Sequence, residues 1–203
     1  MTTNPTKTEI SKQMKNAFEF IQQTYSESSY LIKEIEGQLG ACEYRFQILR
    51  TNGYSISARN STGLEPNNVN FWLLRKFSVA FAEESSTELK KGQNITKINK
   101  DLKILYFRII LDDIKLTEPS LFFGVFYDIV KFKDWVKKFE NLMGTFEYID
   151  NKLFINFPNI DYEESTFKIK GKFNKVNLLE INSSDELMEK VINPAIKLYE
   201  TIY

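Results

Sequence analysis

Two nearly uninterrupted apolar stretches, "LKILYFRIILD" (residues 102–112) and "SLFFGVFYDIV" (120–130), constrain this chain most. Both are rich in Ile, Leu and aromatic residues, the composition of strands buried on two faces of a sheet. About eight residues separate them. That is too short for a parallel crossover, so the two runs are expected to pair as antiparallel neighbours.

Around this pair the patterning divides the chain. Thr6 and Glu9 have the spacing of a capping box, and Ile10, Met14, Ala17, Ile21, Tyr25, Ile32, Ile35 and Leu39 follow at helical steps. The stripe continues through Cys42, Phe46 and Leu49, which predicts a long amphipathic helix, or two in succession, ending near Arg50. Residues 51–68 read as loop with a short strand at Tyr54–Ser57. Residues 69–83 fit either element: Val69, Phe71, Leu73, Phe77, Val79 and Phe81 alternate, while Trp72, Arg75 and Lys76 suit a helix. Fifteen residues is long for a strand, so helix is the preferred reading. Residues 85–101 form a polar, Lys-rich connection.

After the two apolar strands, "FKDWVKKFENLMG" carries a helical stripe and "TFEYIDNKLFINF" reads as a hairpin turning at Asp150-Asn151. Strands are expected near 166–172 and 176–181. Ser183 and Glu186 then cap a last helix with Leu187, Val191, Ile192, Ala195, Ile196 and Tyr199 on one stripe, kinked or split at Pro194. Helices first and strands afterwards give an α+β fold. We expect one domain over residues 1–203: a helical part (6–84), the connection (85–101), a β-rich part (102–182) and a C-terminal helix (184–202). Its sheet is largely antiparallel with five or six strands, covered by helices. With 17 Phe, 10 Tyr and 2 Trp, its core is expected to be aromatic-rich.

The chain has no histidine, which removes Ser-His-Asp and Cys-His catalysis and histidine metal sites. A single cysteine, Cys42, removes intrachain disulfides and cysteine clusters. Lys and Arg number 27 and so do Asp and Glu, a balance that disfavours non-specific nucleic-acid binding. No glycine-rich phosphate loop occurs, and no cofactor is implied. The polar start "MTTNPTKTEISKQ" and the lack of a long apolar window point to a cytoplasmic protein without a membrane segment.

Chemistry has one opening, "RIILDDIKLTEPS" (108–120). Asp112 and Asp113 end an apolar strand, with Glu118 across the turn. Adjacent strand residues face opposite ways, so the doublet reads first as the solvated end of a strand. In the alternative, Asp112, Asp113 and Glu118 hold Mg²⁺ or Mn²⁺ in an enzyme acting on phosphodiesters or nucleotides, with a lysine from 90–103 steadying phosphate. Asp161, Glu163 and Glu164 read as a charged loop leading into an edge strand, whose Lys168, Lys170, Lys172 and Lys175 guard that edge. The leading expectation is a non-enzymatic interaction or regulatory protein. It would work through protein–protein contacts of its N-terminal helix, with a protein partner or as a homodimer.

Overall fold

The computed structural model describes residues 6–48, 54–56, 73–83, 102–113, 116–131, 157–163 and 167–202. It is an α+β protein built on one antiparallel sheet, with helices packed on one face. The chain opens with α1 (Lys7–Ala41), a helix of 35 residues and so about 52 Å long. The Thr6 hydroxyl accepts from the Glu9 amide, and the Glu9 carboxylate accepts from the Thr6 amide, closing the capping box.

Among the described residues seven strands follow: β1 (Gln47–Ile48), β2 (Tyr54–Ile56), β3 (Lys76–Ala82), β4 (Ile104–Ile110), β5 (Ser120–Lys131), β6 (Asn159–Glu163) and β7 (Phe167–Asn177). The sheet runs β1-β3-β4-β5-β7-β6, and β2 shares with β1 the outer edge of β3. Every pairing is antiparallel. The two apolar runs pair directly, Phe107 opposite Phe123, and each residue of β4 is buried. A short 3₁₀ turn (Leu178–Glu180) leads into a C-terminal helical run of α2 (Ser184–Leu187), a π-helical segment (Met188–Ile192) and α3 (Asn193–Thr201). Pro194 sits in the first turn of α3, so the run changes pitch just where proline removes a donor.

On one face Phe77, Val79, Phe81, Leu105, Phe107, Leu121, Phe123 and Val125 pack against Ile35 and Leu39 of α1 and Leu187, Val191, Ile192 and Ala195 of the C-terminal run. Burying each such side chain stabilises the fold by about 1.5–3 kcal/mol. The opposite face carries a second cluster, including Ala80, Ile104, Tyr106, Phe126, Ile160, Tyr162, Ile169 and Phe173. Tyr106 and Phe173 approach to 6.3 Å between ring centroids across Gly124, which is paired with both.

Four expectations are corrected. Residues 76–82 are strand, not helix: Phe77, Val79 and Phe81 meet the helices, Ser78, Ala80 and Ala82 face the other way, and partners on both edges satisfy the backbone. The helix ends at Ala41 rather than near Arg50. Arg45 takes a left-handed conformation (φ 47°), and Phe46 reaches the same core after the turn. The strand expected at 176–181 does not form separately: β7 runs on to Asn177 and Leu178–Glu180 is 3₁₀. The acidic stretch at 159–163 is itself the edge strand β6, so β7 is interior and its lysines do not guard an edge. The polar connection, the helix at 132–144 and the hairpin at Asp150-Asn151 lie outside the described residues.

Candidate functional site

The carboxylates that end β4 have separate partners. Arg75 Nη1 lies 3.0 Å from Asp112 Oδ2, and Lys76 Nζ lies 2.6 Å from Asp113 Oδ2. Register explains this: Lys76 pairs with Ile110, so the side chains at the start of β3 and just after β4 meet at one end of the ladder. Glu118 stands elsewhere, accepting at 2.6 Å from the Asn177 side-chain amide at the end of β7. Among the described residues no three Asp, Glu or Cys side chains group closely enough to hold a metal ion.

The second acidic group is tied into the sheet. Lys168 Nζ lies 2.9 Å from Glu163 Oε2 across β6 and β7. Lys170 Nζ lies 2.7 Å from Asp128 Oδ2, where β5 bulges and Asp128 adopts a positive φ of 49°. These contacts, through hydrogen bond and charge, raise both lysine pKa values above the ordinary range. Lys172 and Lys175 pair with Val125 and Phe122 of β5, and Lys175 Nζ lies 5.9 Å from the Phe122 ring centre. Glu164 lies outside the described residues.

Lys103, the described lysine of the 90–103 segment, closes the end of α3. Its ammonium donates to the carbonyls of Tyr199 (2.8 Å) and Ile202 (3.2 Å) and stands 4.0 Å above the Tyr199 ring. Burial lowers its pKa, and Glu83 and Glu200 act against that. The Tyr199 hydroxyl donates to Glu83 and that of Tyr44 to Glu200, both at 3.0 Å. These groups lock helix to sheet.

The feature left over is α1 itself. Thr6 to Phe20 are all exposed, whereas from Ser28 to Leu39 the helix packs on the sheet. Ile10, Met14, Phe18 and Phe20 are 43%, 58%, 64% and 72% exposed. Beside the packed part lies a groove of about 630 Å³, with Phe20, Thr24, Glu27, Ser28, Tyr30, Leu31 and Glu34 on one wall and Leu178, Leu179 and residues 181–184 on the other. Glu27 and Glu34 are the charged side chains that line it. Gln38 donates to Glu34 Oε1 at 2.9 Å.

No family model, no curated protein and no solved structure matches this chain. Functional meaning therefore rests on its own geometry. Sequence patterning found Ile10, Met14, Ala17 and Ile21 but passed over Phe18, Phe20 and Tyr30, which lie off the stripe. The available signal was three aromatic residues placed among charged and polar neighbours on one helix. No helix among the described residues is long and apolar enough to cross a membrane.

Proposed function

We propose that the protein is a non-enzymatic, cytoplasmic interaction or regulatory protein, acting through protein–protein contacts made by the N-terminal half of α1. One observation carries this reading: the stripe that buries Ile35 and Leu39 against the sheet runs on through the half-buried Ile21 to Ala17, Met14 and Ile10, which are exposed. Ile10 and Met14 on that stripe, with Phe18 and Phe20 on its two flanks, are large apolar side chains held in water on a capped helix, the exposure that marks a binding surface.

The test is site-specific photo-crosslinking in the cell that makes the protein. A photoreactive residue at Met14 should give a discrete adduct, and one at Val130, an exposed apolar position on β5, should not. Equal labelling at both sites, or none at Met14, overturns the reading.

A further inference from the structure

We infer that the partner of the exposed half of α1 is the same helix of a second copy, laid antiparallel so that each exposed half fills the other's groove. This rests on the reading above and adds the identity of the partner. Three observations support it.

The first is continuity of the seam. Ile10, Met14, Ala17, Ile21, Thr24, Ser28 and Leu31 follow alternating steps of four and three, the spacing of a left-handed coiled coil. The first four lie on the free half or where it meets the packed half, and Thr24, Ser28 and Leu31 line the groove. One ridge thus passes from the exposed half into the groove floor.

The second is length. The α1 wall of the groove, from Phe20 to Glu34, spans about 21 Å along the helix axis, and Lys7 to Phe20 spans about 20 Å. A two-fold axis near Glu19 sets Ala17 against Ile21 and Met14 against Thr24, the alternate seam contacts of an antiparallel pair, and brings Ile10 to the level of the buried Ser28. Phe18 and Phe20 then meet their own copies on either flank of the axis.

Charge is the third. The free half carries Lys7, Lys12 and Lys15 against Glu9 and Glu19. The Glu9 carboxylate is engaged by Thr6, and Lys15 touches Glu19 only at 3.7 Å, both largely exposed. The groove presents Glu27 and Glu34. In the antiparallel register Lys7 falls on the seam one turn from Glu34 of the second copy, while Lys12 and Lys15 lie on the outer side of the pair. A parallel pair would set like halves together.

The test uses the full chain with Cys42→Ser and one added cysteine at a time, followed by sedimentation equilibrium of the wild type. Phe18→Cys should join to itself under mild oxidation or with a short bismaleimide. Ile10→Cys should not, since its two copies would stand about 27 Å apart. A mixture of Met14→Cys and Thr24→Cys should give the crossed product. Glu34→Lys should weaken self-association several-fold, and adding Lys7→Glu to that chain should restore it. Self-joining at Ile10→Cys would show a parallel pair and overturn the proposal. A chain monomeric at every concentration, whose Met14 photoadduct contains a different protein, would overturn self-pairing and leave the interaction reading standing. A monomer with no adduct would end both.

Discussion

The Lys76 ammonium and the Asp113 carboxylate lie 2.6 Å apart with side chains only 18% and 14% exposed, while the adjacent Asp112 pairs with Arg75 at 66% exposure. Two neighbours in sequence thus have unequal energetic weight. Removing one member of a mostly buried pair takes away a short charge-assisted contact in a region of low polarity, whereas an exposed pair is screened by water. Asp113→Ala should cost about 2–3 kcal/mol in urea denaturation, and Asp112→Ala about 0.5 kcal/mol or less. Equal losses would show that the doublet acts as one unit.

Gly124 is required by close approach. A Cβ there would meet the Lys172 carbonyl oxygen and stand 2.5 Å from Phe173 Cδ1 and 2.7 Å from Phe173 Cα. Backbone atoms of a central strand pair cannot move aside cheaply. Gly124→Ala should therefore cost about 3 kcal/mol, read as a lower denaturation midpoint, with near-ultraviolet dichroism changing as the Tyr106 and Phe173 rings separate.

Two tyrosines bear on stability in alkali. Partial burial, then the Glu200 carboxylate, pushes the Tyr44 phenol up to about 12. Burial, then Glu83, raises Tyr199 as well. Both folded values exceed the ordinary tyrosine value of 10.0, so the folded state holds these protons longer than the unfolded chain. Their contribution is complete below pH 10 and falls as pH rises through the folded values. Tyr44→Phe should be less sensitive to pH than wild type across that window, measured as the difference in unfolding free energy. The difference also cancels Lys103, whose lowered pKa acts in the opposite direction.

Acid acts at the other end. Glu186 accepts from the Asn182 amide at 2.7 Å and from Lys190 at 3.2 Å, and these bonds hold its carboxyl below the ordinary 4.5. A depressed folded value gives stability that is present above 4.5 and lost as pH falls through the folded value. Glu186→Gln should narrow the stability gap between neutral and acid solution. Ser183→Ala, which removes the cap on the Glu186 amide, should cost about 1 kcal/mol at either pH.

What could be read from residues alone follows the range of the interaction. Strands β4 and β5 were legible because burial on both faces demands an unbroken apolar run. The Thr6–Glu9 cap and the Ser183 cap were legible because capping acts within four residues. Strand β3 was not, because Phe77, Val79 and Phe81 suit two periodicities and distant strand partners decide between them. The end of α1 was hidden because Phe46 returns to the same core after the left-handed turn at Arg45. The unequal weights of Asp112 and Asp113 depend on partners at the start of β3, which no local spacing displays. The stripe on α1 was plain, but how far the sheet reaches beneath it was not.

That reach yields the sharpest comparison in the molecule. Ile10 and Ile35 occupy the same stripe of one helix, yet Ile10 is 43% exposed and Ile35 is fully buried. Ile35→Ala removes atoms packed against the sheet and leaves a cavity, which should cost about 2–5 kcal/mol. Ile10→Ala removes atoms in contact with water and improves helix propensity, so its effect should stay within about 0.5 kcal/mol. Both are measured by urea denaturation at chain concentrations low enough to suppress association. The order should reverse where contact with a partner is read, because Ile10 then belongs to the surface being covered and Ile35 remains beneath it. If Ile10→Ala destabilised the dilute chain as much as Ile35→Ala, the N-terminal half of α1 would already be packed. The reading of it as an open surface would then fail.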